Sequence, residues 1–363
     1  YMGRVNYSYN DKYLLTASYR IDGSSRLVDK YSGFPSVALA WRVSEEGFLK
    51  DNETINDLKI RASYGETGNQ AIGAYSSLAR INVDNPVFFD GSTPTVTTPL
   101  GSPAPQDLRW EVAKQTDIGI DASLFGGRLN IAADWYNKEI TDLLFRREVP
   151  AYSGLGSIST NLGELNNSGF EFLVDGRIID KEQFKWSSSF NISFNENEVV
   201  SLEGQDNLRS GEVNILEAGR SLGEFTGYQF LGTWKTSEAT EAATFGAIPG
   251  DARYLDVNGD NAYTTEDFVS IGNALPDFTF GFNTDLQYRN WKLNLLVQGT
   301  SGNDIYSSTI AFATGGLGQA RQPTLKDALN IWTPQNETDF PTYSPSTQNF
   351  RNSSRFVYAA TYA

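Results

Sequence analysis

The stretch YLLTASYRID, residues 13–22, alternates without a break. Tyr13, Leu15, Ala17, Tyr19 and Ile21 make one side; Leu14, Thr16, Ser18, Arg20 and Asp22 make the other. A period of two marks a strand with one apolar face. Just upstream, Val5, Tyr7 and Tyr9 alternate with Asn6, Ser8 and Asn10, and Asn10-Asp11-Lys12 supplies turn residues between the two runs. The chain therefore opens on a hairpin.

Working outward, the same pattern recurs about ten times. Val37, Leu39, Trp41 and Val43 face away from Ala38, Ala40 and Arg42; Ile60, Ala62 and Tyr64 from Lys59, Arg61 and Ser63. Ile118, Ile120, Ala122 and Leu124 oppose Asp117, Gly119, Asp121 and Ser123; Leu129, Ile131, Ala133 and Trp135 oppose Asn130 and Asp134. Phe170, Phe172 and Val174, then Phe190, Ile192 and Phe194, continue the series. Phe278, Phe280, Phe282, Leu286 and Tyr288, then Trp291, Leu293, Leu295 and Val297, close it. Turns near Asn10, Gly126, Lys181 and Asn290 are tight and the link 46–56 is moderate, whereas the links 23–33, 66–113, 147–163, 199–276 and 300 onward are long. Short turns at one end and long loops at the other are the sidedness of an outer-membrane barrel, with short periplasmic turns and long extracellular loops. Phe278 and Tyr288 share a face ten residues apart. At ~3.3 Å per residue and ~40° tilt this projects to about 25 Å, the height of a lipid-facing band.

Composition narrows the function. Tyr 18, Phe 22 and Trp 7 against Met 1 favour β-structure, where rings pack on pleated surfaces. No apolar run reaches the ~18 residues of a membrane helix, which says nothing against membrane strands. With no Cys and no His, thiol nucleophiles, thiolate metal sites and the usual general base are missing. No Ser/His/Asp set or phosphate-cradling glycine loop occurs, so no enzyme is expected. The net charge of -15 argues against nucleic-acid partners. No signal segment opens the sequence, and a chain that starts mid-protein is expected.

Seven segments in order resemble the SusC/RagA family of TonB-dependent outer-membrane transporters. They are NYSYNDKYLLTASYRIDGSSR (6–26), FPSVALAWRVSEEGFL (34–49), INDLKIRASYGETGNQ (55–70), DLRWEVAKQTDIGID (107–121), LGELNNSGFEF (162–172), PGDARYLDVNGDNAYTTED (249–267) and IGNALPDFTFGFN (271–283). The resemblance implies an all-β fold, a transmembrane antiparallel barrel of about 22 strands, of which residues 1–363 are a partial barrel domain. The plug domain, the TonB box and a terminal strand ending in an aromatic residue are missing from this sequence. The resemblance also implies a bacterial outer-membrane location, with lipid and lipopolysaccharide around the barrel. It implies import of oligosaccharides or peptides, a SusD-like surface lipoprotein as lid, and energy from a TonB complex. A passive porin or surface adhesin on the same barrel is the alternative, with a soluble glycan-binding β-sandwich behind it.

One constellation carries metal chemistry. Asp256, Asn258, Asp260 and Asp267 stand at positions 1, 3, 5 and 12 of a calcium-loop pattern, with the Ala262 carbonyl at position 7 and Thr264 at 9. A curled loop turns alternate oxygens inward, as a hard cation with six to eight oxygen ligands requires. Position 6 is Asn261 rather than Gly, and position 12 is an Asp rather than the usual Glu, with Glu266 beside it. The expected cofactor is structural Ca2+, and the alternative is a solvated turn whose side chains cap their own backbone. Loop aromatics Phe88, Phe89, Tyr152 and Trp234 are candidate platforms for a sugar ring, whereas Trp110 in DLRWE reads as loop packing. Arg20, Arg42, Arg61, Asp117, Asp121, Glu171 and Asp285 fall on the lumen side, where ion-pair ladders across the wall are the expected role. The segment 92–105 (STPTVTTPLGSPAP) reads as extended loop.

Overall fold

A computed structural model describes the chain apart from residues 82–84, 89–93, 98–99, 106, 149–156, 205–206, 316–325, 327–329, 343–349 and 363. Ten strands form one sheet in chain order: β1 (Met2–Tyr9), β2 (Tyr13–Gly23), β3 (Tyr31–Arg42), β4 (Ile55–Asn69), β5 (Glu111–Leu124), β6 (Leu129–Thr141), β7 (Glu164–Lys181), β8 (Phe184–Ser201), β9 (Phe278–Tyr288) and β10 (Trp291–Ser301). Each strand pairs with its neighbour in the sequence, with β1 and β10 at the edges. The pairs from β1 to β8 are antiparallel.

Register explains the alternation. Tyr7, Leu15, Leu39, Ala62, Ile118, Trp135, Phe170 and Phe194 are direct cross-strand partners from β1 to β8. One slip anywhere would turn a strand's apolar set to the polar side, so the pattern pins the pairing. The row is open rather than covered: Leu39 is 54% exposed, Ile118 50% and Trp135 44%. A continuous apolar surface of this length belongs against a non-aqueous partner. The adjacent row, Ala40, Arg61, Gly119, Asp134, Glu171 and Ser193, projects from the opposite face and is mostly polar. Leu15, Trp41, Leu124 and Phe280 are not among the buried residues, so the soluble-sandwich alternative falls.

The short connections are knitted to one another along one rim. Arg42 N–H donates to the Lys12 carbonyl (2.8 Å), Phe125 N–H to Thr54 (2.8 Å), Arg177 N–H to Arg128 (2.7 Å) and Arg289 N–H to Gln183 (2.9 Å). Asn10 and Asp11 have φ of 51° and 53°, the left-handed pair in the three-residue turn 10–12 between the paired Tyr9 and Tyr13. In the four-residue turn 125–128, between the paired Leu124 and Leu129, Phe125, Gly126 and Gly127 are left-handed at 55°, 69° and 71°. Glu46 caps the rim, accepting from Tyr13 Oη (2.7 Å), Lys12 Nζ (3.0 Å) and Trp41 Nε1 (3.2 Å). The Tyr13 hydrogen bond, then those of Lys12 and Trp41, hold its carboxyl below the usual carboxylate range.

One expectation needs correction. The link after β2 is short, because pairing runs on to Gly23↔Tyr31 and leaves only 24–30 as loop. Strands β7 and β8 have 18 residues each, more than one membrane crossing requires. Their upper parts carry Asn166, Asn167, Glu196 and Glu198, and Asn197 Nδ2 donates to Asn167 Oδ1 (2.6 Å). With polar residues on both faces, that part of the ladder suits water on both sides.

The chain divides into two compact units. Tyr1–Gln205 with Phe280–Val297 is the sheet unit; Asp206–Thr279 with Gln298–Ala363 is the second. The second unit has a four-stranded sheet of Asn207–Ser210, Asn214–Glu217, Glu224–Gly227 and Val269–Asn273. Its core is aromatic: Tyr228 stacks on Phe350 (4.4 Å) and meets Phe268 edge-on (4.7 Å), and Tyr254 is 2% exposed. Burial pushes the Tyr228, Tyr254 and Tyr263 hydroxyls above their ordinary pKa.

Candidate functional site

The polar face of the sheet carries a connected charge network. Arg61 reaches Asp121 through Nε (3.1 Å) and Asp134 through Nη2 (2.6 Å), and Lys59 Nζ joins Asp121 (2.9 Å). Gly119 lies between, and a Cβ there would meet Asp134 Oδ1 and the Arg61 guanidinium carbon. The glycine is thus the gap through which one arginine bridges two strands. Arg42 pairs with Asp57 (3.2 Å) and Arg20 with Asp22 (2.8 Å). Asp117 accepts from Ser63 Oγ and Gln115 Nε2, Glu171 from Ser193 Oγ, and Asp285 from Asn283 and Asn294. All seven residues read as lumen-facing thus have polar or ionic partners along the wall.

Above the sheet, the loops of the first unit pack on their own small core. Leu27, Phe34, Leu108 and Trp110 are 0–5% exposed, with Ile72, Val112 and Leu144 against them. Trp110 is loop packing, meeting Phe34 edge-on at 5.7 Å. Asn161 is a functional-looking residue that sequence reasoning passed over. Its Oδ1 accepts from Arg109 N–H (2.9 Å), and its Nδ2 donates to the carbonyls of Arg109 (2.9 Å) and Asp142 (2.7 Å). This ties the hairpin Leu144–Glu148/Ser157–Asn161 to the segment before β5. No local signal marks it, since its partners lie 52 and 19 residues away. Beside this core opens a cavity of about 320 Å³ with Ile72, Leu108 and Leu144 as apolar wall and Arg80 and Arg146 among its polar lining.

The candidate ring platforms fare unevenly. Phe89 and Tyr152 lie outside the described residues, and Phe88 is described only in its backbone, in the strand Asn85–Phe88. Trp234 is a correction: at 1% exposure it is core of the second unit, packed with Ala242 and Ala247 and under the Arg253 guanidinium (4.4 Å). The helix Ala239–Thr244 folds back over the indole, so no ligand ring reaches it.

The calcium-pattern loop curls as expected, but its oxygens are engaged with the loop's own backbone. Asp256 accepts from Gly259 N–H (2.7 Å) and Asn261 N–H (3.0 Å). Asn258 Oδ1 accepts from Asp260 N–H (3.0 Å), and Asp260 Oδ1 from Ala262 N–H (2.8 Å). Asn261 has φ 61°, the left-handed turn that position 6 requires. Asp267 is fully buried and caps the turn, accepting from Val257 N–H (2.9 Å) and Thr264 N–H (2.8 Å). Among the described residues no three acidic side chains cluster at metal-holding distance. The side chains of Asp256, Asn258 and Asp260 thus cap the loop's own backbone, the pattern of a solvated turn, and Asp267 is turned to a capping role as well.

Comparison with known proteins places this sheet. The family described as "TonB dependent receptor-like, beta-barrel" matches residues 1–299. TonB-dependent receptor P3 of Formosa agariphila is 39% identical over 99% of this chain and 37% of its own length. TonB-dependent receptor SusC of Bacteroides thetaiotaomicron is 29% identical over 87% of this chain and 33% of its length. The solved RagAB peptide transporter shares the fold: 24% identity, TM-score 0.82, covering 99% of this chain and 39% of that one. The chain thus spans under two-fifths of the length of these proteins. Their names describe receptors and transporters, not enzymes. With the exposed apolar row facing lipid and the charge network facing the lumen, the chain belongs to the TonB-dependent receptor-like β-barrel family of the bacterial outer membrane.

Proposed function

We propose that the whole protein imports oligosaccharide or peptide fragments across the outer membrane, energised by TonB and working with a SusD-like surface lipoprotein. The observation that carries this reading is the sheet itself: an exposed apolar row on one face, a charge network on the other, and loops with their own packed core above. A wall with that much ordered structure at the loop end suits capture and gating of a polar polymer better than an open pore. The names of SusC and of the RagAB peptide transporter support it by analogy. In cells carrying the full-length gene, uptake of a labelled oligosaccharide or peptide pool should stop when the inner-membrane proton gradient is collapsed. A lipoprotein should co-purify with the barrel. Uptake that continues at the same rate in de-energised cells would establish the passive-porin alternative instead.

A second proposal concerns the 256–267 loop. A divalent cation, calcium by its all-oxygen donor set, is held by Asp256, Asn258, Asp260 and the Ala262 carbonyl and fixes the irregular segment between the strand Ala252–Tyr254 and the turn Thr265–Asp267. The left-handed Asn261 supports it. Calcium should protect the segment 250–268 from protease and raise its melting temperature, and Asp256→Ala with Asp260→Ala should abolish both effects. Identical digestion with calcium and with a chelator would rule the cation out.

A further inference from the structure

The apolar row on the lipid face drops to a small residue at Ala62. Leu15, Leu39, Ala62 and Ile118 are cross-strand partners from β2 to β5, so a single methyl stands between Leu39 and Ile118. A recess of about 330 Å³ opens here, and its lining includes Tyr7, Leu39, Ile60 and Ala62. Tyr13 and Trp41 line it too, and they occupy the next outward row toward the short turns, where Tyr13, Trp41 and Ile60 are direct partners.

The wall on the rim side is held in place. Tyr13 and Trp41 stack with ring centroids 6.5 Å apart and planes 10° apart. Glu46 Oε1 accepts from both, Tyr13 Oη at 2.7 Å and Trp41 Nε1 at 3.2 Å, so neither ring swings across the recess without breaking a hydrogen bond. Lys12 Nζ donates to the other oxygen of the same carboxylate (3.0 Å) and has no second partner among the described residues. An ammonium carries three donors, so two remain at the polar end of the ring pair. Leu15 lies two residues along β2 from Tyr13, about 7 Å, and the recess therefore starts just inside the rim.

We propose that the recess and Lys12 form a phospholipid site. One acyl chain fills the recess, the Tyr13–Trp41 pair lies against the glycerol-ester region, and Lys12 pairs with the phosphate. Burial of apolar surface gives no gain here, because the surrounding chains are as apolar as the protein. Selection rests on other forces. An open recess forfeits dispersion contacts, and a single chain restores them against walls that are already fixed. Rings with one polar end settle at the boundary between hydrocarbon and water. A lysine at that boundary attracts an anionic headgroup. The site rests on reading the short turns as the periplasmic side, where the leaflet is phospholipid rather than lipopolysaccharide, and it is independent of the import reading.

The test uses the full-length protein in phosphatidylethanolamine vesicles with a trace of the same lipid carrying a photoreactive diazirine in one acyl chain. After irradiation the adducts are mapped by mass spectrometry. They should concentrate on Leu39, Ile60 and Ala62, several-fold above Ile118 and Trp135 on the same face. Ala62→Phe, which fills the gap, should remove that excess, and Ala133→Phe, the same change on the same face of β6, should leave it. Lys12→Gln should reduce the excess about fivefold, the effect of one basic residue at a lipid surface. Should Ala62→Phe fail to fold, the wild-type map and Lys12→Gln decide. Even labelling along the row, an excess that survives Ala62→Phe, or displacement of the probe by lipopolysaccharide but not by unlabelled phospholipid overturns the site. Even labelling leaves the lipid face standing and removes only the recess as a site.

Discussion

Replacing Trp135 by Arg probes the lipid face at its most sensitive depth. Trp135 is the seventh of the thirteen residues of β6, 44% exposed, flanked across the ladder by Ile118 and Phe170. Leu129 starts the same strand on the same face, six residues away. At ~3.4 Å per residue and ~40° tilt, the two lie about 16 Å apart along the membrane normal. The apolar band is about 25 Å tall, so Trp135 sits near its middle and Leu129 beyond its edge. An arginine costs about 2–4 kcal/mol at the midplane and about 0–1 near the interface. Trp135→Arg should therefore shift the folding equilibrium further than Leu129→Arg by about 1–4 kcal/mol, roughly 5- to 700-fold. The assay is denaturant titration of the full-length protein in lipid vesicles, scored by heat-modifiable gel mobility. Equal shifts at the two positions, or a larger one at Leu129, would refute the lipid-face assignment.

Gly119→Val should push Arg61 off Asp134 and destabilise the wall by about 1–3 kcal/mol in the same titration, with unchanged midpoints as the contrary result. Asp251 is fully buried, and its burial raises its carboxyl pKa above 3.8. A raised acid pKa means stability present at low pH and lost as pH rises through the folded value. Asp251→Asn should accordingly stabilise the second unit relative to wild type at pH 8, with the gap closing toward pH 4; a gap that widens on acidification would contradict this. Protease added outside intact cells should cut within 237–247 and spare Lys181, and the reverse pattern would invert the topology.

The wall was legible in the sequence because membrane strands repeat a two-residue period and any register slip is penalised. The hairpins at Asn10-Asp11 and Gly126-Gly127 were legible for the same local reason, since left-handed residues announce themselves. Loop interiors were not. An aromatic such as Trp234 reads equally well as platform or core, and only the helix Ala239–Thr244 closing over it decides. The cue existed in the small residues Ala239, Ala242 and Ala243, but a helix this short leaves little periodicity. Arg80 and Arg146 meet through a cavity built from segments 66 residues apart, which spacing cannot reveal. The full length of β7 and β8 was hidden too, because Asn166, Asn167, Glu196, Asn197 and Glu198 interrupt the apolar alternation before Leu165 and Val199 pair.

The central claim is that one face of this sheet meets lipid and the other the lumen, and a spin-label scan along β6 tests it most directly. This chain has no cysteine to compete for label. Single cysteines are placed in turn at 130–136 of the full-length protein, spin-labelled and reconstituted in vesicles. Labels at Ile131, Ala133 and Trp135 should relax strongly with oxygen and weakly with a water-soluble nickel chelate. Those at Asn130, Asp134 and Tyr136 should lose the oxygen effect, giving a two-residue oscillation. A flat profile, or an oscillation of opposite phase, would contradict the assignment of these faces.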